Sequence, residues 1–300
     1  MNITDLPPDA MRETLFHLPP KDVITYCTTN KDILAQCDDY PFLRNYMSNN
    51  FGGLNIDSIK INGSPWDKFV FVNNLIKRLR SWDRRDLILD KARYLDDQDE
   101  KGYRSPTVDA ILLTTVSMNN PELLSVLLEI LAGEDGILGV RLAPGVLQNE
   151  AVAYHFQSSA GSEAHYRYNH ILMNTFLAII RRISLEEVRN ESDPMLQTIL
   201  RYYMPDIDFF LVFGIFHDTI KNRDVDMFNK LLTYKPFVYR NDIDVVEESG
   251  NENMIVSVYA YSATYQTYGM GYPDARISLL LVPGNPTLIN ILAEYNKLRA

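Results

Sequence analysis

The residues best suited to chemistry in this chain are a short run of glycines, the histidines and two cysteines. Gly133, Gly136 and Gly139 have the spacing of a loop that cradles phosphate with backbone N–H groups. Such a loop also needs a following Gly-Lys-Ser/Thr to supply the lysine and the metal-binding hydroxyl, and this sequence has none there. The glycines therefore do not predict a nucleotide site.

The histidines predict no site either. His165 and His170 lie near Glu163, but their spacing is not that of an HExxH helix and no third anchor stands out. His17 and His217 fall on predicted helices beside apolar neighbours, where a hydrogen-bonded structural histidine is the usual role. We expect no metal and no catalytic histidine.

Cys27 and Cys37 are the only cysteines and are ten residues apart, with no CxxC motif. A nucleophilic cysteine needs a histidine base and an electropositive setting, whereas these two fall on the apolar faces of short predicted helices. The start of the chain, MNITDLPPDA, has no secretory n-region or h-region, which favours a reducing compartment. We interpret both cysteines as packing residues of a cytoplasmic protein that is not an enzyme and uses no cofactor.

The composition of the chain argues against two classes of partner, nucleic acids and membranes. The 300 residues are 46% hydrophobic and carry 29 Lys and Arg against 39 Asp and Glu, for a net charge of −10. A phosphate backbone would be repelled by such a chain, so no nucleic-acid partner is expected. The longest nearly apolar run, FFLVFGIF (209–216), is far shorter than the roughly 18 residues of a membrane span, so no membrane partner is expected. The one basic cluster is interleaved with acids and is typical of a solvated helix face: Lys77, Arg78, Arg80, Asp83, Arg84, Arg85 and Asp86.

The elements that position these residues begin with closely punctuated short helices. Leu-Pro occurs twice, at Leu6-Pro7 and Leu18-Pro19. Pro8 suits the first turn of a helix with Met11 and Leu15 on one face, and Leu18-Pro19 ends that helix.

Three further short helices are predicted in the same region. Pro20 and Asp22 suit the first turn of the second, TTN (28–30) offers caps for the third, and Pro41 opens the fourth. Helices this short bury little surface individually. Their apolar faces must therefore meet one another, a partner, or both.

This opening resembles an F-box, which implies a function. The resemblance lies in Leu6-Pro7, LFHLP (15–19), KDV (21–23), YCTTNK (26–31), Cys37 and DYPFL (39–43), in that order. F-boxes bind a Skp-type adaptor through the apolar surface of their helices, and the adaptor links them to a cullin-based ubiquitin ligase. The resemblance assigns adaptor binding to Leu6, Pro7, Leu15, Leu18, Pro19, Val23 and Ile33. The alternative is that residues 3–47 only cap a helical array.

The rest of the chain repeats itself. DAILLTTVSMNNPELLSVLLE (109–129) aligns without a gap on DARISLLLVPGNPTLINILAE (274–294), and GIFHDTIKNRDVDMFNKLLTY (214–234) aligns on both. Each copy predicts a first helix, a tight turn with Asn, Gly or Pro, and a second helix carrying a Leu-Leu pair. Weaker copies follow the same pattern at 84–95, 193–200 and 251–259.

The repeats resemble degenerate ankyrin repeats. Pro194 to Asp226 spans 32 residues, Asp226 to Asn253 spans 27 and Asn253 to Thr287 spans 34, near the ankyrin period. The stretch DVDMFNKLL (224–232) is similar to the second helix of an ankyrin repeat, although the Thr-Pro-Leu-His signature is missing. Another helix-pair repeat remains an alternative with the same physics of stacked pairs.

The predicted fold is mainly α with little β: an F-box-like module at 1–50, a linker or small hairpin at 51–67, and an irregular ankyrin-like helical solenoid at 68–300. A glycine-rich insertion at about 131–170 interrupts the repeats, and it is either a recognition loop or a surface excursion without a role.

The resemblance implies a non-enzymatic adaptor that binds a Skp-type protein at one end and an unknown target protein through its repeats. An F-box-like start with Asn- and Tyr-rich repeats also looks like families expanded in large DNA viruses of protists, which would place the protein in host cytoplasm. The alternative function is a structural or scaffolding repeat protein, such as one packaged in a virion, without a ligase role.

Overall fold

The structure is a computed structural model that describes residues 6–29, 31–81, 106–132, 172–203, 205, 209–234 and 240–264. These residues form helices joined by turns, and none of them lies in a strand. The prediction of a mainly α protein is confirmed. The helices in chain order are α1 (Pro8–Phe16), α2 (Pro20–Cys27), α3 (Lys31–Cys37), α4 (Tyr40–Asn50), α5 (Pro65–Ser81), α6 (Pro106–Met118), α7 (Pro121–Ala132), α8 (helical over 172–180), α9 (Leu185–Asn190), α10 (Pro194–Leu200), α11 (Phe209–Lys221), α12 (Val225–Thr233), α13 (Arg240–Ser249) and α14 (Glu252–Thr264).

Proline begins many of these helices. It occupies the first position of α1, α2, α5, α6, α7 and α10, where the missing N–H has no intrahelical partner to lose. In α4 proline is the second residue, and the carboxylate of Asp39 accepts the Phe42 N–H at 2.9 Å as the N-cap. The predicted helix starts at Pro8 and Pro20 are confirmed, and the fourth helix begins one residue before Pro41.

The chain divides into two compact units. The first comprises Met1–Thr175 with Thr198–Tyr202, and the second comprises Phe176–Gln197 with Tyr203–Ala300. Helices α1–α7 all lie in the first unit, so the F-box-like segment shares a unit with the helices that follow it.

Residues 51–64 of the first unit contain a 3-10 turn, Ile56–Ser58, rather than the small hairpin that the sequence allowed. The Asn55 side chain accepts the Asp57 N–H at 3.0 Å and begins the turn. Leu54, Ile56 and Ile59 are buried, because the alternating apolar residues point inward from a turn instead of from paired strands. The turn contacts α4 and α5.

Helices α6 and α7 pack as a pair joined by a two-residue turn. Asn119 adopts a left-handed φ of 51°, and the Asn120 N–H donates to the Thr115 carbonyl at 3.2 Å, so the orphan carbonyls of α6 are satisfied. The Asn120 side chain then accepts the Leu123 N–H at 2.9 Å and caps α7.

The second unit contains the same turn. Between α11 and α12, Arg223 has a φ of 57° and the Asp224 N–H donates to the Thr219 carbonyl at 2.9 Å. Asp224 accepts the Met227 N–H at 3.0 Å, as Asn120 accepts that of Leu123. The predicted pattern of helix, tight turn and helix is therefore confirmed for 109–129 and 214–234.

Within the second unit, the first helix of one pair contacts the first helix of the next pair, and the second helix contacts the second. α11 packs against α12 and α13 against α14, and in addition α11 contacts α13 while α12 contacts α14. Helix α9 also contacts α12. Gly250, with a φ of 62°, and Asn251 make the turn from α13 to α14.

Several sequence predictions fall outside the described residues. They are the repeat copies at 84–95 and 274–294, nearly all of the 131–170 insertion, the three glycines and the histidine pair at 165 and 170.

Candidate partner-binding surface

The described residues contain no group of three or more His, Cys, Asp or Glu side chains placed to hold a metal ion. None of the helices in the described ranges has both the length and the apolar character that a bilayer crossing requires. The candidate site consists of the apolar side chains in and beside α1–α3, where the sequence predicted contacts.

The seven predicted contact residues separate into two groups. Leu15 and Val23 are fully buried and Ile33 is 8% exposed, so these three side chains face the interior of the first unit. Leu6 and Leu18 are half-buried, and Pro7 and Pro19 are exposed. A protein partner could touch only this second group in the folded chain.

The buried members follow helical spacing. Met11 and Leu15 of α1, Val23 and Cys27 of α2, and Ile33 and Cys37 of α3 are all buried pairs four residues apart. Residues four apart lie on one face of a helix, so each short helix has a single interior stripe. Side chains off that stripe remain available to a partner.

Half-buried apolar side chains off the stripe enlarge the predicted group. Together with the accessible predicted residues they form what we call the N-terminal apolar surface: Leu6, Pro7, Phe16, Leu18, Pro19, Ile24 and Leu34. Phe16, Ile24 and Leu34 were not predicted as contacts. Each directly follows an interior residue of its helix, and this position is the signal that could have identified them.

Helix α4, by contrast, is sealed by the protein's own chain. The Tyr46 ring packs edge-on against Phe69 of α5 with ring centroids 5.5 Å apart, and Phe51 stacks on the same ring at 6.2 Å. The Trp66 N–H donates to the Asp38 carboxylate at 2.9 Å, which fixes the start of α5 to the segment before α4. The apolar face of α4 is thus completed without a partner.

Tyr46 also reaches the Leu18-Pro19 turn. Its hydroxyl donates to the Leu18 carbonyl at 2.6 Å, and its ring meets Phe16 edge-on at 6.1 Å. Burial, together with the nearby Asp22 carboxylate, raises the pKa of the Tyr46 phenol well above its ordinary value, so it stays a proton donor. The Tyr46 side chain therefore fixes the Leu18-Pro19 turn to α4.

Arg12 of α1 forms ion pairs with two carboxylates, one in α1 itself and one just before α4. Arg12 lies 3.2 Å from the Asp39 carboxylate and 3.6 Å from that of Asp9. Because Asp39 also caps α4, the guanidinium connects α1 to the first turn of α4. The side chains of Lys21, Asp22, Lys31 and Asp32 are exposed at the beginnings of α2 and α3 and carry charges of both signs.

The two cysteines form a disulfide, which corrects the interpretation of them as packing residues alone. Cys27 is the last residue of α2 and Cys37 the last of α3, and their Cα atoms are 6.0 Å apart. Both are fully buried. Sequence reasoning placed both on interior stripes but had no means to decide that the two helix ends meet.

The surface offers apolar contact without reactive groups. The Cys27–Cys37 bridge leaves no thiol there, and His17, the histidine of this region, is exposed at the end of α1. The surface is built from short helix ends and the turns between them. Comparison of the chain with protein-family models, curated proteins and solved structures gives no match.

Proposed function

We propose that this protein is a non-enzymatic recruiting adaptor, in which the N-terminal apolar surface binds a Skp-type adaptor of a cullin-based ubiquitin ligase. The observation that carries the proposal is the asymmetry of the first four helices. The interior face of α4 packs on Phe69 of α5, whereas α1–α3 and the turns beside them keep seven apolar side chains exposed or half-buried. A partner that covers those side chains would remove apolar area from water at about 25 cal/mol per Å².

The proposed contact set differs from the set that the F-box resemblance assigned. Leu6, Pro7, Leu18 and Pro19 are kept, and Phe16, Ile24 and Leu34 are added because they are half-buried on α1, α2 and α3. Leu15, Val23 and Ile33 support these helices from the interior.

The proposed mechanism is tethering. One end of the chain holds the ligase adaptor and the helix pairs of the second unit hold a target protein, so the target's effective concentration near the ubiquitin-transfer enzyme rises. The helix pairs expose polar and charged turn residues, among them Asn222, Arg223 and Asp224, on which such a target could dock. No chemistry on this chain is required, and the setting we propose is cytoplasm.

The test is a binding measurement with the full chain and a purified Skp-type adaptor, by calorimetry and co-purification. Ile24→Asp should weaken binding at least about tenfold, because a carboxylate buried in an apolar contact loses its favourable hydration free energy. Thr25→Asp is the matched control: it adds the same charge to the next residue of α2, where the side chain is exposed, and should bind as the unchanged protein does.

Leu15→Asp is not a useful variant, because it places a charge in the interior. The proposal is overturned if the folded, unchanged protein binds no Skp-type adaptor, or if Ile24→Asp and Thr25→Asp bind equally well. Self-association in place of adaptor binding would favour the structural or scaffolding alternative.

A further inference from the structure

The Cys27–Cys37 disulfide is the only covalent link between α2 and α3 other than the backbone. It joins the last residues of two helices that are eight and seven residues long. Isolated helices of this length are unstable in water, so their order depends on contacts between them. The two helices do pack against each other, and the bridge lies inside that contact with both cysteines fully buried.

The bridge lies one helical turn from two residues of the N-terminal apolar surface. Ile24 precedes Cys27 by three residues on α2, and Leu34 precedes Cys37 by three residues on α3. Positions three apart are neighbours along a helix, so the bridge limits how far the helical turns that carry Ile24 and Leu34 can separate. The ten-residue separation of the cysteines places the whole of α3 inside the covalent loop.

We infer that Cys27 and Cys37 form a redox-dependent lock on the N-terminal apolar surface. The inference rests on the proposed function for its partner and its compartment. Disulfides in reducing compartments are in most cases transient or redox-sensing rather than permanent, so a disulfide beside a binding surface of a cytoplasmic protein has regulatory potential. The oxidised form presents a preordered surface, and the reduced form must order α2 and α3 on binding, which lowers its affinity.

The chemistry is thiol–disulfide exchange with a cellular thiol such as glutathione or a dithiol reductase. A thiolate attacks one sulfur, the Cys27–Cys37 bond breaks and a mixed disulfide forms; a second thiolate then displaces the remaining cysteine. Two electrons and two protons pass to the protein, which gains two thiols, while the reductant becomes a disulfide. Because both cysteines are buried, α2 and α3 must separate locally before attack, so exchange should be slow compared with that of an exposed disulfide.

The experiment compares the full chain after oxidation with glutathione disulfide and after reduction with dithiothreitol, with thiols counted by maleimide labelling. Two measurements are made on each form: hydrogen exchange of residues 20–37, and affinity for a purified Skp-type adaptor. We expect reduction to speed exchange in α2 and α3 and to weaken adaptor binding about tenfold. The matched control is Cys27→Ala with Cys37→Ala, whose affinity should not respond to dithiothreitol.

The two measurements separate failure of the lock from failure of the proposed function. Equal hydrogen exchange in the oxidised and reduced forms overturns the lock, whether or not the adaptor binds. Where the adaptor binds both forms, equal affinity of the two forms also overturns it. Faster exchange on reduction with no adaptor binding in either form supports the cross-link as the element that orders α2 and α3, and overturns the assignment of the adaptor as partner. If the alanine variant does not fold, the comparison of the two forms of the unchanged protein decides alone.

Discussion

Asn120 donates a hydrogen bond from Nδ2 to the Ser58 carbonyl at 2.9 Å while its Oδ1 accepts the Leu123 N–H at 2.9 Å. One buried amide therefore caps α7 and also holds the 3-10 turn of residues 56–58 against it. Glu122 adds a second link, because its carboxylate accepts the Asn55 N–H at 3.1 Å. The segment between α4 and α5 is fixed to the first helix pair of the repeats by these bonds, in contrast to a free linker.

We expect Asn120→Ala to lower the free energy of unfolding by about 2 kcal/mol, because a helix cap and a hydrogen bond to a partly buried carbonyl are lost together. Asp224→Ala removes the equivalent cap of α12, for which only the bond from Met227 is at stake, and should cost about 1 kcal/mol. Urea denaturation followed by circular dichroism measures both. Equal losses would mean that the Ser58 contact contributes nothing.

Tyr46→Phe tests the hydrogen bond that fixes the Leu18-Pro19 turn of the N-terminal apolar surface to α4. The variant keeps the ring contacts with Phe16 and Phe69 but leaves the Leu18 carbonyl without its phenol donor, which should cost about 1 kcal/mol in the free energy of unfolding. Tyr40→Phe is the control, since Tyr40 is exposed and donates to Asp57 where water can replace it. Urea denaturation should show a clearly smaller loss for Tyr40→Phe; the reverse order would refute the role given to Tyr46.

The helical part of this fold follows from local sequence rules. Pro8 and Pro20 begin helices as predicted, because proline at the first position loses no hydrogen bond. The alignment of 109–129 with 214–234 also holds at the level of single bonds. When Leu123 is aligned with Met227, Thr115 and Thr219 occupy equivalent positions. Both are buried and donate from Oγ1 to the carbonyls three residues earlier, at 2.6 Å and 2.7 Å.

Contacts between helices could not be predicted from local sequence rules. Periodicity placed Met11 and Leu15 on one face, but the family resemblance then assigned Leu15 to a partner, and the structure shows it buried. A resemblance gives the order of residues and not the side of the helix that the rest of the chain covers. The Cys27–Cys37 bridge and the packing of Tyr46 on Phe69 were missed because both depend on contacts between helices.

Replacing Arg223 by glycine should stabilise the protein. Arg223 is exposed with a φ of 57°, a left-handed conformation that costs a side chain with a Cβ about 1–2 kcal/mol and costs glycine almost nothing. Glycine also raises the entropy of the unfolded chain, which cancels part of this stabilisation. We expect the free energy of unfolding to rise by about 0.5–1 kcal/mol in total.

Asn119→Gly is the matched control for Arg223→Gly. Asn119 adopts the same conformation in the equivalent turn, with a φ of 51°, but asparagine tolerates it, so the change should be near zero or slightly destabilising. Thermal unfolding followed by circular dichroism gives the order of the variants. A lower midpoint for Arg223→Gly than for the unchanged protein would show that the arginine side chain makes a stabilising contact that outweighs its backbone strain.

The capping box at the start of α9 should make part of the stability depend on pH. The Glu187 carboxylate accepts hydrogen bonds from the Ser184 N–H at 2.7 Å and from the Ser184 hydroxyl at 2.8 Å, and the Glu187 N–H donates to that hydroxyl at 3.2 Å. The bonds from Ser184, with a further contribution from the Lys230 charge, lower the pKa of Glu187 below its ordinary value of 4.5. The folded state therefore favours the ionised carboxylate, and protonation weakens it as an acceptor.

A carboxyl group whose pKa is lower in the folded than in the unfolded state stabilises the fold fully above its unfolded pKa, and this contribution is lost as the pH falls through the folded pKa. Glu187→Gln keeps an acceptor oxygen but cannot titrate. We expect the unchanged protein to unfold at a higher temperature than Glu187→Gln by a constant margin from pH 7 to about 5, and the margin to shrink below pH 4.5. All other carboxyl groups are common to both proteins, so the difference between their unfolding midpoints isolates Glu187. A margin that does not change down to acid unfolding would show that the carboxylate has the same pKa in the folded and unfolded chains.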